Sequence, residues 1–596
     1  ALAVALTSST SCWAQQGPLV STDMGVVEGF TRHALSLTEQ SVDVFWGLPY
    51  AAPPVGPNRL RPPQPFVEPW QGVRPAKRVP HLCPQFDLVG KKFLGKEDCL
   101  YLNVYRPHGA TADANLPVLL WLYGGAFILG DGYEFSFYDG THVVKHHGYV
   151  IVTLNYRLSG LGFFALPELL EADGTTGNYG VQDQRAAMQW VQRNARSFGG
   201  DPGQVTIAGE SAGGMSVMFH LASPGSAGLF HAAIMESGSS HANWWFQNLS
   251  QAFEMYGELA GIMGCPDAAA RLACLRGLPE HAFMQSAVQS AGYILEEQVR
   301  SRMPFLPLPK DIPDFASPMY PFMHNTPVVD GTPAGLPDVP LTLVKKGEFN
   351  RVPLIVGSNK DGGAYFAPLF PLLYGSSNYD LEAFARRLLP DPVDQQKFVN
   401  LYSSADYPNH RLALDRAFRD MVFMCESREL AIEWSRAGLP TYLYVFSFNF
   451  TGKTDALLGD AHAFELPFVF RNGVKVMEHF SREGGDSYER MADVMSCTWA
   501  SFVRCGAPKC EDAAKVPPHC DYILESIPDW PHFDNDAIEG RQYYSLRADP
   551  IVRAILPHAE FRKTDEFPGD DKCDFWRDAN YDFVHLRSIH ETQFFV

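Results

Sequence analysis

Beyond its first residues, this 596-residue chain has no stretch long and apolar enough to span a bilayer, and no basic cluster is visible. Lysine and arginine total 48 against 67 acidic residues, a formal net charge of −19. That balance argues against nucleic acid or an anionic membrane surface as a partner and is read as solubility. Ser/Gly-rich or charged linkers are missing, as are internal repeats. Length alone suggests about three or four domains. With 46% hydrophobic residues and no divider, one large domain is the simpler reading. No histidine is spaced from the cysteines as a zinc site requires, and neither a metal nor another cofactor is expected.

Cysteine, in contrast, is plentiful. Eleven of them fit an oxidising compartment better than the cytosol. The first residues, Ala1 to Ala14, read as the apolar end of a secretory signal with small residues towards a cleavage point near Ala14. Residues 1–16 are therefore expected to be residual signal peptide, 17–580 a single domain and 581–596 a tail without an anchor-like segment. The protein is expected to be secreted. The sequons at Asn248 and Asn449 are compatible with glycosylation.

The most informative run is Val205-Thr206-Ile207-Ala208-Gly209-Glu210-Ser211-Ala212-Gly213-Gly214. An apolar, β-branched segment ends in Gly-x-Ser-x-Gly, and a helical stretch, Ala212 to Ala222, follows. Strand, tight turn and helix in that order are what a nucleophile elbow requires. The glycines have a steric reason, since a serine held in a strained turn leaves its neighbours no room for side chains. The Ala212 amide would sit at a helix N-terminus, where it can stabilise an oxyanion.

Other short apolar runs read as strands: Val118–Tyr123, Val150–Asn155, Ala232–Glu236, Pro353–Gly357 and Thr441–Phe448. Asp183–Phe198 carries Ala187, Trp190, Val191, Ala195 and Phe198 at helical spacing, with the tryptophan as core. Alternating strands and helices imply a mostly parallel sheet covered on both faces. The proline-rich stretch Met303–Pro340 is expected to be an irregular surface connection near the site.

A serine hydroxyl needs a base, a group orienting that base and an oxyanion hole. Trp121-Leu122-Tyr123-Gly124-Gly125-Ala126-Phe127 follows a strand, so Gly125 and Ala126 are candidate amide donors alongside Ala212. For the base, His462 stands out in Gly459-Asp460-Ala461-His462-Ala463-Phe464-Glu465, a loop just beyond the strand at Thr441–Phe448.

These motifs resemble the type-B carboxylesterase/lipase family, the group containing cholinesterases, bile-salt-activated lipase, fungal lipases and neuroligins. Glu97-Asp98-Cys99-Leu100-Tyr101-Leu102-Asn103-Val104, Tyr123 to Phe127, Asn155-Tyr156-Arg157 and Gly177-Asn178-Tyr179-Gly180 with Asp183-Gln184 match in family order. Phe198-Gly199-Gly200-Asp201-Pro202, the Ser211 elbow, Ser237-Gly238-Ser239, Pro327-Val328-Val329-Asp330-Gly331 and the His462 segment complete the series. The likeness runs from about Gly17 to Trp576. It implies an α/β-hydrolase fold, ester hydrolysis, Ser211 as nucleophile and His462 as base. It also implies disulfides Cys83–Cys99, Cys265–Cys274 and Cys425–Cys573, and structural ion pairs Arg157–Asp183 and Arg59–Glu97. Cys505, Cys510 and Cys520 lie outside the family pattern, with a local bridge expected and the pairing open; Cys497 reads as a buried thiol.

The chain departs from the family at the triad acid. After Pro353–Gly357 the family usually reads Asn-x-Asp-Glu-Gly, whereas here Gly357-Ser358-Asn359-Lys360-Asp361-Gly362-Gly363 puts glycine at the acid position. Asp361, one residue early, is the first candidate, because two following glycines make the loop pliable. Glu210, Asp460 or Glu465 could substitute. Catalysis could also be weakened or lost, as in relatives that became adhesion or scaffold proteins. The expectation is a secreted serine ester hydrolase acting through an acyl-enzyme on uncharged, apolar-acyl, small or lipid-like esters. A non-catalytic interaction protein on the same fold is the alternative. The Cys83–Cys99 loop has no tryptophan, so a choline site of the cation–π kind is unsupported. Phe127, Trp244 and Trp245 could line an acyl pocket.

Overall fold

The computed structural model of the chain describes residues 17–34, 40–87, 92–240, 246–283, 325–367, 380–403, 407, 409–448, 450, 458–472, 486–535, 542–547, 551–554 and 568–579. The expectations for residues 1–16 and 581–596, and for Trp244, Trp245 and Asn449, lie outside the described residues. So does the proline-rich stretch up to residue 324.

One 11-stranded sheet organises the molecule. In chain order its strands are β1 (Phe30–Arg32), β2 (Val42–Pro49), β3 (Tyr101–Pro107), β4 (Leu116–Leu122), β5 (Val150–Leu154) and β6 (Gly200–Glu210). They continue with β7 (Ala232–Glu236), β8 (Leu354–Asn359), β9 (Thr441–Phe446), β10 (Gln542–Leu546) and β11 (Ile551–Ala554). Across the sheet the order is β11-β10-β9-β8-β7-β6-β4-β5-β3-β2-β1. Neighbours from β5 to β10 run parallel, while β1, β2, β3 and β11 pair antiparallel at the two edges.

The central strands are apolar on both faces because both faces are covered: β5, β7, β8 and β9 are buried throughout. The segment expected at Val205–Ala208 extends back to Gly200, which pairs with Leu116 ahead of a register shift that ends at Val205. Helix α1 (Tyr179–Asn194) begins before the expected Asp183, and a 3₁₀ turn, Ala195–Phe198, completes the segment. Trp190 is buried, as a core residue should be. Helix α2 (Ala212–Ala222) follows β6 directly and packs on β6 and β7. Helices α3 (His410–Arg419) and α4 (Cys425–Arg436) are joined by a π-turn at Asp420–Met424, and α5 (Asp486–Cys505) packs against β4 and β6. Among the described residues no helix is long and apolar enough to cross a membrane.

Two ion pairs are buried. Arg157 donates to Asp183 from Nε and Nη2, both at 2.7 Å, and its backbone amide reaches the same carboxylate at 3.1 Å. Arg59 pairs with Glu97 and also donates to the carbonyls of Leu275 and Arg276 at 3.2 Å. The disulfides Cys83–Cys99, Cys265–Cys274 and Cys425–Cys573 form as the resemblance implied. Cys497 is not a free thiol. It bridges to Cys520, and Cys505 bridges to Cys510. The helical repeat of α5 alone reads Cys497 as core, and only the return of the Cys520 loop over that face brings a second sulfur. His147 Nδ1 lies 3.4 Å from Cys520 Sγ, but Cys520 is held in the disulfide with Cys497.

Replacing Arg157 by Met should leave the Asp183 carboxylate buried without its cation. A loss of about 3–5 kcal/mol is expected for breaking such a pair, visible as a lower thermal midpoint and a lower yield of folded protein.

Candidate active site

At the end of β6 the chain must turn sharply to enter α2. Ser211 makes that turn at φ 58°, ψ −123°, a region that costs a non-glycine residue on the order of 1–3 kcal/mol. The surroundings hold it there. Its amide donates to the Glu236 carbonyl of β7 at 3.0 Å, and its carbonyl accepts the Met215 amide of α2 at 2.9 Å. A Cβ on Gly209 would lie 2.5 Å from the Gly213 carbonyl, and one on Gly213 would collide with the Leu122 carbonyl of β4. The glycines of Gly-x-Ser-x-Gly are thus demanded by the close passage of β4, β6 and α2, which leaves the Ser211 side chain partly exposed at the strand ends.

The loop after β4 lies against this turn. A Cβ on Gly124 would come 3.1 Å from Ser211 Cβ. Gly125, Ala126 and Phe127 then take φ values of 100°, 55° and 60° in succession, a run of left-handed backbone closed by Ile128 and Leu129 amides on the Gly125 carbonyl. Such a run turns successive N–H groups to one side. Among the described residues the amides of Gly125, Ala126 and Ala212 take no protein partner. Ala212 adds the N-terminal field of α2. Phe127 is buried, with its ring 5.0 Å from that of Phe163.

His462 is brought to the site by stitching between the end of β8 and the histidine loop. Asn359 Nδ2 donates to the Ala461 carbonyl at 2.6 Å, the Asp361 amide to the Asp460 carbonyl at 3.1 Å, and the Asp460 amide to Asp361 Oδ2 at 2.8 Å. His462 is only 7% exposed. Phe423, from the π-turn, stacks on it at 4.6 Å and 20°, and Phe366 meets it edge-on at 5.5 Å. Its Nε2 lies 3.1 Å from Oε1 of Glu210, the residue before the proposed nucleophile, though off the line of a good hydrogen bond. Burial pushes the imidazole down to about 3, so it is neutral across the physiological range. Burial pushes Glu210 the other way, well above the usual carboxylate range, reinforced by the nearby carboxyls of Glu465, Glu236 and Glu134.

Asp361 does not take the place expected of it. Its Oδ1 lies 2.5 Å from Nη2 of Arg416 on α3, and its Oδ2 accepts the Asp460 amide. Among the described residues no ion pair or hydrogen bond links it to His462. Burial opposes its ionisation, but Arg416, Lys360, the Asp460 amide and Arg419 outweigh that and hold it below the usual range. At Gly362, the family's acid position, an added Cβ would lie 3.2 Å from the Asn359 carbonyl oxygen and 3.5 Å from Phe423 Cδ2. Of the other candidates, Glu465 accepts Asn359 Nδ2 at 2.5 Å, and Asp460 Oδ2 lies 3.7 Å from Lys360 Nζ. The roles of Arg416, Phe366 and Phe423 were not read from sequence. Each sits in an unremarkable stretch, and only tertiary packing brings it to the histidine.

A strained serine at a strand–helix turn, a loop of unpartnered amides beside it and an imidazole converging from beyond β9 define a serine hydrolase of the α/β-hydrolase fold. The chain belongs to the carboxylesterase family, matching it over residues 16–576. It is 33% identical to the liver carboxylesterase of Sus scrofa over 578 residues, covering 90% of this chain and 92% of that protein. It is 31% identical to the acylcarnitine hydrolase of Mus musculus, covering 91% of this chain and 90% of that protein. Among solved structures, a PNB esterase superposes with a TM-score of 0.71 at 28% identity, covering 92% of this chain and 99% of that one.

Gly125→Ala tests the amide loop, because its Cβ would collide with the Leu129 carbonyl at a φ of 100°. Displacing one donor should lower kcat about 100-fold or more with little change in the far-ultraviolet circular dichroism spectrum.

Proposed function

We propose that the protein is a secreted serine carboxylic-ester hydrolase that works through an acyl-enzyme. His462 accepts the Ser211 proton as Ser211 attacks the ester carbonyl, and the amides of Gly125, Ala126 and Ala212 hold the tetrahedral oxyanion. The protonated imidazole returns its proton to the departing alkoxide. Water then attacks the acyl-enzyme with His462 again as base, freeing the acid and Ser211. The observation that carries this reading is the convergence on one turn: strained Ser211, Gly124 against its Cβ, and His462 3.1 Å from the adjoining Glu210.

Esters with uncharged, apolar acyl groups are the proposed substrates. Phe127 lies in the amide loop, Phe366 and Phe423 pack on the histidine, and Tyr365 meets Phe464 at 5.8 Å. The names of the relatives, a liver carboxylesterase and an acylcarnitine hydrolase, point to the same reaction class. Secretion is supported by the five disulfides, which persist in oxidising compartments. Asn248 is exposed at the N-cap of a helix, in a position a glycan could occupy.

A fluorophosphonate probe should label the purified protein at Ser211, and p-nitrophenyl acetate or butyrate should be hydrolysed. Ser211→Ala should abolish both, and His462→Ala should lower kcat about 1,000-fold or more. A folded protein that neither labels nor turns over any acyl length would instead favour a non-catalytic interaction role.

A further inference from the structure

We infer that Phe423 is a positioning residue of the base: its ring, stacked on His462, holds the imidazole plane and stabilises the imidazolium while the Ser211 proton is on it. This rests on the proposed serine-hydrolase reading. A base that becomes a buried cation during turnover meets an interior that solvates it poorly. His462 is buried, and among the described residues neither of its ring nitrogens makes a hydrogen bond. Asp361 is paired with Arg416, Glu465 accepts from Asn359, and Asp460 Oδ2 lies 3.7 Å from Lys360 Nζ. Glu210 lies off the hydrogen-bond line at Nε2, the nitrogen that exchanges a proton with Ser211.

What faces the ring plane is aromatic. Phe423 lies nearly parallel to it, with centroids 4.6 Å apart and 20° between the planes. That is inside the roughly 6 Å over which the negative face of a benzene ring attracts a cation, an attraction that strengthens where water is excluded. The contact uses neither ring nitrogen. Nε2 can therefore take the Ser211 proton and pass it to the departing alkoxide, while Phe423 itself gains and loses nothing. Phe366 meets the imidazole edge-on at 5.5 Å and is stacked in turn on Phe418 at 4.6 Å, so the pair is backed by a wider aromatic cluster.

The π-turn at Asp420–Met424 puts Phe423 there. One extra residue in the repeat turns the following side chains by about 100° from where a continued α-helix would carry them. The turn is fixed at both ends. Asp420 accepts from Arg419 Nε at 2.6 Å and from the Tyr402 hydroxyl at 3.0 Å. Arg419 Nη1 also donates to the Lys360 carbonyl at 2.9 Å, joining the turn to the loop after β8. On the far side Ser427 Oγ donates to the Phe423 carbonyl at 2.7 Å, and Cys425 is bridged to Cys573. Phe423 is wholly buried, so its ring cannot leave the histidine without opening the cluster.

The test replaces Phe423 by 4-fluoro-, 3,5-difluoro- and 3,4,5-trifluorophenylalanine at a recoded codon, and separately by Leu. Fluorine draws charge from the ring face while nearly keeping its shape. Readouts are p-nitrophenyl butyrate kinetics, fluorophosphonate labelling and the thermal midpoint. Expected is a kcat that falls stepwise with each fluorine, to about 10-fold or more below wild type at three. KM should stay within about threefold and the thermal midpoint within about 3 °C. Phe423→Leu should lower kcat about 30-fold, and where it folds poorly the fluorinated series still decides. A ring that served packing alone would tolerate the fluorines and suffer only from Phe423→Leu. An unchanged kcat across the fluorinated series, in a wild type that labels and turns over, would therefore overturn the inference. So would a kcat that falls only in step with the thermal midpoint. A wild type that neither labels nor turns over would overturn the hydrolase reading, and this inference with it.

Discussion

The turn between β6 and α2 holds Ser211 at φ 58°, and it can do so only because three backbones pass almost in contact there. Gly209 and Gly213 are glycines because β4 and α2 leave no volume for a Cβ, and Gly124 is a glycine because it lies against Ser211 itself. This crowding has two consequences. It places the Ser211 hydroxyl beside the Ala212 amide at the start of α2, and it brings the amide loop after β4 alongside. The strain is maintained by the parallel sheet, whose strands β4, β6 and β7 flank the turn and contribute the Glu236 carbonyl that fixes the serine amide.

The second constraint is burial of the base. An imidazole between Phe423 and Phe366 is well oriented but reluctant to carry charge. Where relatives place a glutamate, this chain has Gly362, and the neighbouring Asp361 is drawn to Arg416 from α3. The same arginine contact that favours Asp361 as an anion occupies its Oδ1, and among the described residues no hydrogen bond or ion pair joins it to His462. Glu210, which adjoins Ser211 in sequence, lies 3.1 Å from His462 Nε2.

Most of the frame was legible because it depends on local pattern. The buried strands are short apolar runs, α2 begins where the elbow motif ends, and the three family disulfides fall on matched positions. What escaped is long-range. Arg416 reaches Asp361 from a helix that reads as ordinary surface and core, and Phe423 reaches the imidazole because a π-turn at Asp420–Met424 adds a residue to the helical repeat. Cys497 likewise looks like core until the loop carrying Cys520 folds back over α5. The Gly362 departure was visible in sequence, but which carboxylate faces His462 depends on packing between segments hundreds of residues apart.

The most direct measurement of the central claim is rapid mixing with p-nitrophenyl butyrate, followed by acid quench and peptide mass analysis. If Ser211 on its strained turn is the nucleophile, a burst of about one nitrophenolate per chain should accompany an acyl group on the peptide carrying Ser211. Turnover without an acyl-peptide, or acylation at a different side chain, would contradict it.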